Sequence, residues 1–245
     1  LGTAEAVAQK GYMAGFTGAH RASPSPLLED DPAERFVGKT AILGLGYGCG
    51  AEKFREMVCS NLGKGAMTLD DAQVVVSTYR SAYSGIPHLW TKADNAIRFI
   101  YGGIERDHGF GKTDSNNTHI TVHGGRRIYY PELVRDQTGQ WTYTNNNGVK
   151  GIKLYGGKLI ENAVQAIAQM VIQHAELLID RAASHLGIYA AGQAHDELIF
   201  CVEESRAELM GKLLRKAMTT VPKWYPYALP LECKVYIVDN YRQAK

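Results

Sequence analysis

No stretch of this chain approaches 18 consecutive apolar residues, so no transmembrane helix is expected. The first residues carry no basic flank leading into an apolar run, and with that absence goes the pattern of a secretory signal peptide. Cysteine is sparse. Cys49, Cys59, Cys201 and Cys233 stand far apart with no C-x-x-C spacing, which argues against a zinc knuckle or a disulfide framework and reads as reduced thiols of an intracellular protein. There is little excess charge: 27 Lys and Arg against 25 Asp and Glu leave a formal +2. That balance does not argue for a nucleic-acid partner by itself, so any basic surface must be local. No internal repeat is present.

What is there suits a folded mixed α/β chain. Its 245 residues bound the answer to one large or two small domains, and 45% hydrophobic with 21% charged residues is ordinary globular composition. Residues 1–18 are rich in Ala and Gly and weakly helical in pattern, and Ser23-Pro-Ser-Pro26 breaks them. Asp30, Asp31, Pro32 and Glu34 suit the start of a helix, which a glycine-rich segment continues through Glu52–Val58. Thr68 to Asp71 caps a helix running to Tyr83, Ser84 to Pro87 is a turn, and His88–Tyr101 is helical. Ile120–His123 and Arg127–Tyr130 flank Gly124-Gly125 as a hairpin, Gln137–Gly148 reads as an exposed turn or short hairpin, and Lys158–His185 is the longest helical pattern. Two strands, within Ile188–Ala194 and Leu198–Val202, flank His195-Asp196-Glu197. Ser205 to Glu208 has the form of a capping box before a helix, and Leu231–Val238 alternates as a final strand.

Two stretches carry chemistry. On a helix, Arg35, Lys39, Leu43 and Tyr47 recur every four residues and form a stripe about 18 Å long, from two cations through an aliphatic to an aromatic side chain. Such a stripe suits a nucleoside triphosphate: cations at the phosphates, Leu43 at the sugar, Tyr47 at the base. A plain amphipathic helix is the rival reading. A relaxed phosphate-loop pattern, Ala33-x-x-x-x-Gly38-Lys39-Thr40, lacks the hydrophobic strand that should precede it. The dinucleotide pattern fails at Cys49. The second stretch, His195-Asp196-Glu197, puts carboxylates in a tight turn; these are the hard oxygen donors magnesium prefers. Its rival is a solvated hairpin turn.

With both stretches read, the chain resembles the C-terminal part of family A (DNA polymerase I-like) DNA polymerases, the phage members more than the bacterial. Arg35-x-x-x-Lys39-x-x-x-Leu43-x-x-x-Tyr47-Gly48 resembles motif B of the fingers, and Gln193-Ala-His195-Asp196-Glu197-Leu198 resembles motif C of the palm. Tyr79 to Pro87, Gly124 to Pro131 and Lys234 to Lys245 add weaker matches, and the likeness covers about residues 33–245. It implies helical fingers over 19–152, with a motif B helix over about 33–58, and part of an α/β palm with a small antiparallel sheet over 153–245; residues 1–18 are left apart. It implies template-directed nucleotidyl transfer from a dNTP to a DNA primer 3′ end.

The resemblance also assigns roles. Asp196 becomes a metal ligand, the complete enzyme holding two Mg2+ ions, Glu197 an auxiliary carboxylate, and His195 a neighbour of the primer terminus. Arg35 and Lys39 become triphosphate contacts, Tyr47 a stacking group near the templating base, Gly48 a point of close strand passage, and Gln165 a minor-groove contact. Leu43 stands where the family usually carries Phe or Tyr, and Glu161 where an Asn is sought near Gln165. The family's motif A strand, roughly Asp-Tyr-Ser-x-Ile-Glu, has no counterpart between Leu1 and Glu34. The expectation is therefore a fragment or one piece of a split polymerase, inactive alone, with primer-template DNA, dNTPs and a segment carrying motif A as partners. No membrane partner is expected, and the cytoplasm is the expected location, a bacterial host's if the gene is a phage's. The alternative is a remnant that binds DNA or nucleotide without chemistry.

Overall fold

The computed structural model describes residues 32–116 and 118–244. The expectations for residues 1–18, Ser23–Pro26, Asp30 and Asp31 lie outside the described residues. The described chain mixes helices with small antiparallel sheets and parts into two compact units. One comprises residues 32–120 with 128–162, the other residues 121–127 with 163–244.

The first unit opens with three helices, α1 (Pro32–Leu45), α2 (Ala51–Leu62) and α3 (Leu69–Ala82). Each contributes one apolar face to a shared core of Val37, Ala41, Leu45, Phe54, Val58, Ala72, Val75, Val76 and Tyr79. Leu45, Phe54 and Val58 are wholly buried, each worth about 1.5–3 kcal/mol in surface removed from water. Thr68 realises its capping box: its hydroxyl accepts from the Asp71 N–H at 3.1 Å, and Asp71 accepts from the Thr68 N–H at 3.3 Å.

A second core of the same unit forms around α4 (Gly85–Gly102). Ala93, Ala96, Ile97 and Ile100 pack with Ile120, Tyr130, Leu133, Leu154, Leu159 and Ile160. Burial pushes the Tyr130 phenol far above its usual range, and Asn162 donates to that oxygen at 3.1 Å. Short strands bracket this core. β1 (Arg106–Asp107), β2 (Gly111–Thr113), β3 (His119–Val122) and β4 (Arg127–Tyr129) lie in that order in one sheet. β5 (Val134–Arg135), β6 (Trp141–Tyr143) and β7 (Ile152–Leu154) form another, antiparallel throughout.

The long helix α5 spans Gly156–Ala183. In the second unit its Ala175, Ile179 and Ala183 pack with Ile188, Leu198, Met210 and Ala217. Leu198 comes from β9 (Glu197–Phe200), which forms a hairpin with β8 (Ala190–Ala194); Ile188 lies two residues before β8, and Met210 and Ala217 come from α6 (Ala207–Met218).

Four expectations need correction. Ser84 to Pro87, expected as a turn before a helix from His88, is helical from Gly85 onward, because Pro87 sits in the first turn where its missing N–H costs no bond. The single helix over about 33–58 is two helices: Gly44, Gly46, Gly48 and Gly50 crowd the junction, and Gly48 takes a left-handed φ of +89° that ends the helical path. The capping box at Ser205 does not form, because a 3-10 turn over Glu204–Arg206 precedes α6 and its N-cap, Arg206, makes no side-chain cap bond. Leu231–Val238, expected as a strand, is not in one; alternation alone does not supply a neighbour with which to pair.

Candidate functional site

On α1, Arg35, Lys39 and Leu43 share an exposed face at steps of about 6 Å, while Val37, Gly38, Thr40 and Ala41 turn inward. Apolar residues thus occupy one side of the helix and leave two cations and a 57% exposed leucine on the other. Among the described residues no carboxylate is paired with either cation. Both guanidinium and ammonium are therefore available for charge-assisted bonds to phosphate oxygens.

Tyr47 lies just beyond the helix, in a turn, and is half-buried. That turn is gripped from several sides. The Trp90 indole N–H donates to the Gly46 carbonyl at 3.1 Å, and Arg80 Nη2 donates to the Cys49 carbonyl at 3.3 Å with its guanidinium 5.8 Å from the Trp90 ring. The N-terminus of α5 presses on the Tyr47 backbone. A Cβ on Gly157 would run into the Tyr47 carbonyl oxygen, and one on Gly156 into the Trp90 carbonyl oxygen. Asp94 holds this approach by accepting the Gly156 N–H at 2.6 Å. Burial, with a smaller push from the Glu161 carboxylate, raises the Tyr47 phenol above its usual range, so the ring stays a neutral surface at ordinary pH.

In the second unit, Ala194 and Glu197 face each other across β8 and β9, leaving His195-Asp196 as a two-residue turn; Glu197, expected in the turn, is instead the first paired residue of β9. His195 takes φ +52°, the left-handed region that non-glycine residues seldom occupy. Leu198 is buried beneath the turn and fixes the hairpin register, while His195, Asp196 and Glu197 are all exposed at its tip. Glu197 Oε2 accepts the Tyr241 hydroxyl at 2.6 Å, and that bond is the leading cause of the rise in the Tyr241 pKa. Asp196 has no such partner among the described residues. Gln165 is exposed on α5.

The structure therefore gathers Arg35, Lys39 and Leu43 on one helix face with Tyr47 at its end, and His195, Asp196 and Glu197 on one hairpin tip. The first group belongs to the first unit; the second group, with Gln165, belongs to the second. The sequence reading missed the groups that grip Tyr47: Arg80, Trp90, Asp94 and the Gly156-Gly157 pair. A tandem glycine at the head of a long helix was the available signal, since glycine there points to a close backbone approach. Tyr241 was passed over for want of any local pattern linking it to Glu197. As a magnesium site the hairpin tip offers one or two carboxylates, the kind of donor set that holds this ion together with water and substrate phosphates. Among the described residues no group of three or more His, Cys, Asp or Glu converges as a metal cage.

No protein-family model matches the chain. It is 27% identical over 221 residues to the DNA polymerase of Bacillus phage SP02, covering 85% of this chain and 33% of that protein. It is 24% identical over 216 residues to the thermostable DNA polymerase I of Thermus aquaticus, and equally to that of Thermus thermophilus, covering 88% of this chain and 21% of each. The chain thus spans a third or less of the length of these relatives. Across most of its own length, its sequence relationship is to DNA polymerases of the DNA polymerase I-like family A.

Proposed function

We propose that this chain supplies the nucleotide-holding helix and one metal-binding hairpin of a template-directed DNA polymerase that transfers nucleotides from dNTPs to a primer 3′ end. The observation that carries the reading is the exposed Arg35–Lys39–Leu43 face ending at the gripped Tyr47. Arg35 and Lys39 hold the triphosphate and offset charge on the departing pyrophosphate. Leu43 lies along the sugar. Tyr47 offers its ring to the templating base, and Gly48 lets a strand pass close. Asp196 and Glu197 would hold magnesium, which when bound supplies charge stabilisation for the attacking and leaving oxygens. His195, at the same tip, sits beside the primer terminus, and Gln165 reaches the minor groove of the product duplex.

A second reading, nucleotide and DNA binding without chemistry, is favoured for residues 1–245 alone by the small carboxylate set at the hairpin tip. Primer extension separates the two. Residues 1–245 with magnesium should show no extension. Adding a polypeptide that carries an Asp-Tyr-Ser-type strand should restore it, and Asp196→Ala should abolish it again. Extension by residues 1–245 that ignores Asp196→Asn would refute the placement of the metal site. Failure to restore activity with triphosphate binding intact would favour the binding-only reading.

A further inference from the structure

In the first unit the β6–β7 hairpin turns through Asn145-Asn146-Asn147-Gly148, a stretch with no part in the polymerase reading. Asn145 builds the turn. Its N–H donates to the Val149 carbonyl at 3.0 Å, and its carbonyl accepts the Gly148 N–H at 2.9 Å. Its side-chain oxygen accepts from the Asn147 N–H at 3.0 Å and from the Val149 N–H at 2.9 Å. Gly148 supplies the left-handed φ of +76° that brings the chain back. Asn147 and Gly148 are exposed, and a Cβ on Gly148 would meet nothing within 4 Å.

An asparagine followed by glycine carries latent chemistry. Its side-chain carbonyl carbon lies within reach of the next backbone nitrogen, and closure between them makes a cyclic imide. A side chain on the following residue obstructs that closure, and glycine has none. Among the asparagines of this chain only Asn147 precedes a glycine; the others are followed by Leu, Ala, Asn, Thr or Tyr. Here, however, the Gly148 nitrogen is bonded to the Asn145 carbonyl, and the N–H groups on either side of it are held by the Asn145 side chain. Closure has to wait for local opening of the turn.

We propose that Asn147 is a site of spontaneous deamidation, restrained by Asn145. The Gly148 nitrogen loses its proton to solvent and bonds to Asn147 Cγ. The Cγ–Nδ2 bond breaks, and the amide nitrogen takes up a proton and leaves as ammonia. Water then adds to one of the two imide carbonyls. Cleavage at Cγ leaves an aspartate; cleavage at the backbone carbonyl leaves an isoaspartate, its main chain routed through the side chain and longer by one methylene. Either product replaces a neutral amide with a carboxylate, so the formal charge of +2 falls by one. The isoaspartate also changes the spacing of the two N–H groups that Asn145 Oδ1 holds, so the original turn does not re-form. The proposal stands apart from the polymerase reading and needs no role of Arg35 or Asp196.

The test incubates residues 1–245 in mildly alkaline buffer, folded and in urea, and follows the tryptic peptide Asp136–Lys150 by mass spectrometry with fragment localisation. Conversion should appear at Asn147 as an aspartate–isoaspartate pair, with ammonia released in equal amount. The folded protein should convert at least about fivefold more slowly than the unfolded chain. Asn145→Ala should raise the folded rate about fivefold and leave the rate in urea unchanged. Asn145→Asp, whose carboxylate can still accept both N–H groups, should keep the slow rate, and Asn147→Gln should remove the product. A folded protein that stays unconverted at Asn147, or that converts first at another asparagine, would overturn the site. Equal folded rates for the wild type and Asn145→Ala would overturn the restraint. Should Asn145→Ala fail to fold by circular dichroism, a folded Asn145→Asp protein converting as fast as the unfolded chain overturns the restraint instead.

Discussion

A single charge on α1 can be weighed directly. Lys39 is exposed, so its bond to phosphate is screened, and the upper end of the 1.5–3 kcal/mol range for charge-assisted bonds does not apply. Lys39→Ala should weaken dNTP binding by about tenfold with unfolding unaffected, as isothermal titration and a urea melt would show. An unchanged affinity would remove Lys39 from the site. His108 offers a pH test. Its ring lies 5.3 Å from Phe99 and 6.0 Å from Phe110, and burial, then repulsion from Arg106, lowers its pKa from the ordinary 6.5. The unfolded chain therefore binds the proton more readily. His108 contributes stability that is fully present above about pH 6.5 and is lost as pH falls toward the lower folded value. His108→Gln should flatten this part of the acid limb of a stability–pH curve; an identical limb would assign that limb to other groups.

At the scale of elements, two look-alike caps separate pattern from structure. Thr68→Ala removes a formed capping box and should cost about 1 kcal/mol in urea unfolding. Ser205→Ala, at a box of the same form that makes no cap bond, should cost a few tenths at most. Equal losses would mean that α6 is capped in solution as α3 is. Gly157→Ala is expected to be worse than either: the new methyl meets the Tyr47 carbonyl, and relieving that clash should cost about 1–3 kcal/mol and weaken dNTP binding through the displaced ring. A stable variant with full affinity would show that Tyr47 is not set by this contact. The same elements explain what was legible in the sequence. α3, α5 and the two glycine- or turn-marked hairpins announce themselves because cap, periodicity and turn residues are local. β1, β2 and β5–β7 are two or three residues long, too short to show alternation even though β1 with β2 and β5 with β6 pair locally. The break after Leu45 was signalled by its glycines, but the four-residue stripe masked it. Arg35, Lys39, Asp196 and their neighbours were singled out as candidates through motif spacing; Trp90 and Tyr241 act through contacts that no local pattern encodes.

For the molecule as a whole, a formal charge of +2 hides an uneven distribution, and DNA affinity should follow the local cations. Binding of primer-template DNA by residues 1–245 should fall steeply between about 50 and 200 mM salt, because phosphate contacts release counterions. An affinity insensitive to salt would contradict the phosphate contacts of Arg35 and Lys39. The grip on Tyr47 also imposes an order on biosynthesis. The α1–α3 core needs only residues 37–79 and can close early as the chain is made. The contact that seats Tyr47 waits for Gly157, more than a hundred residues later, a delay on the order of 5–20 s at about 5–20 residues per second. Through that interval the ribosome carries a folded helical core whose Tyr47 turn is unfinished, so the Arg35–Tyr47 stripe is complete only once Gly157 has been translated.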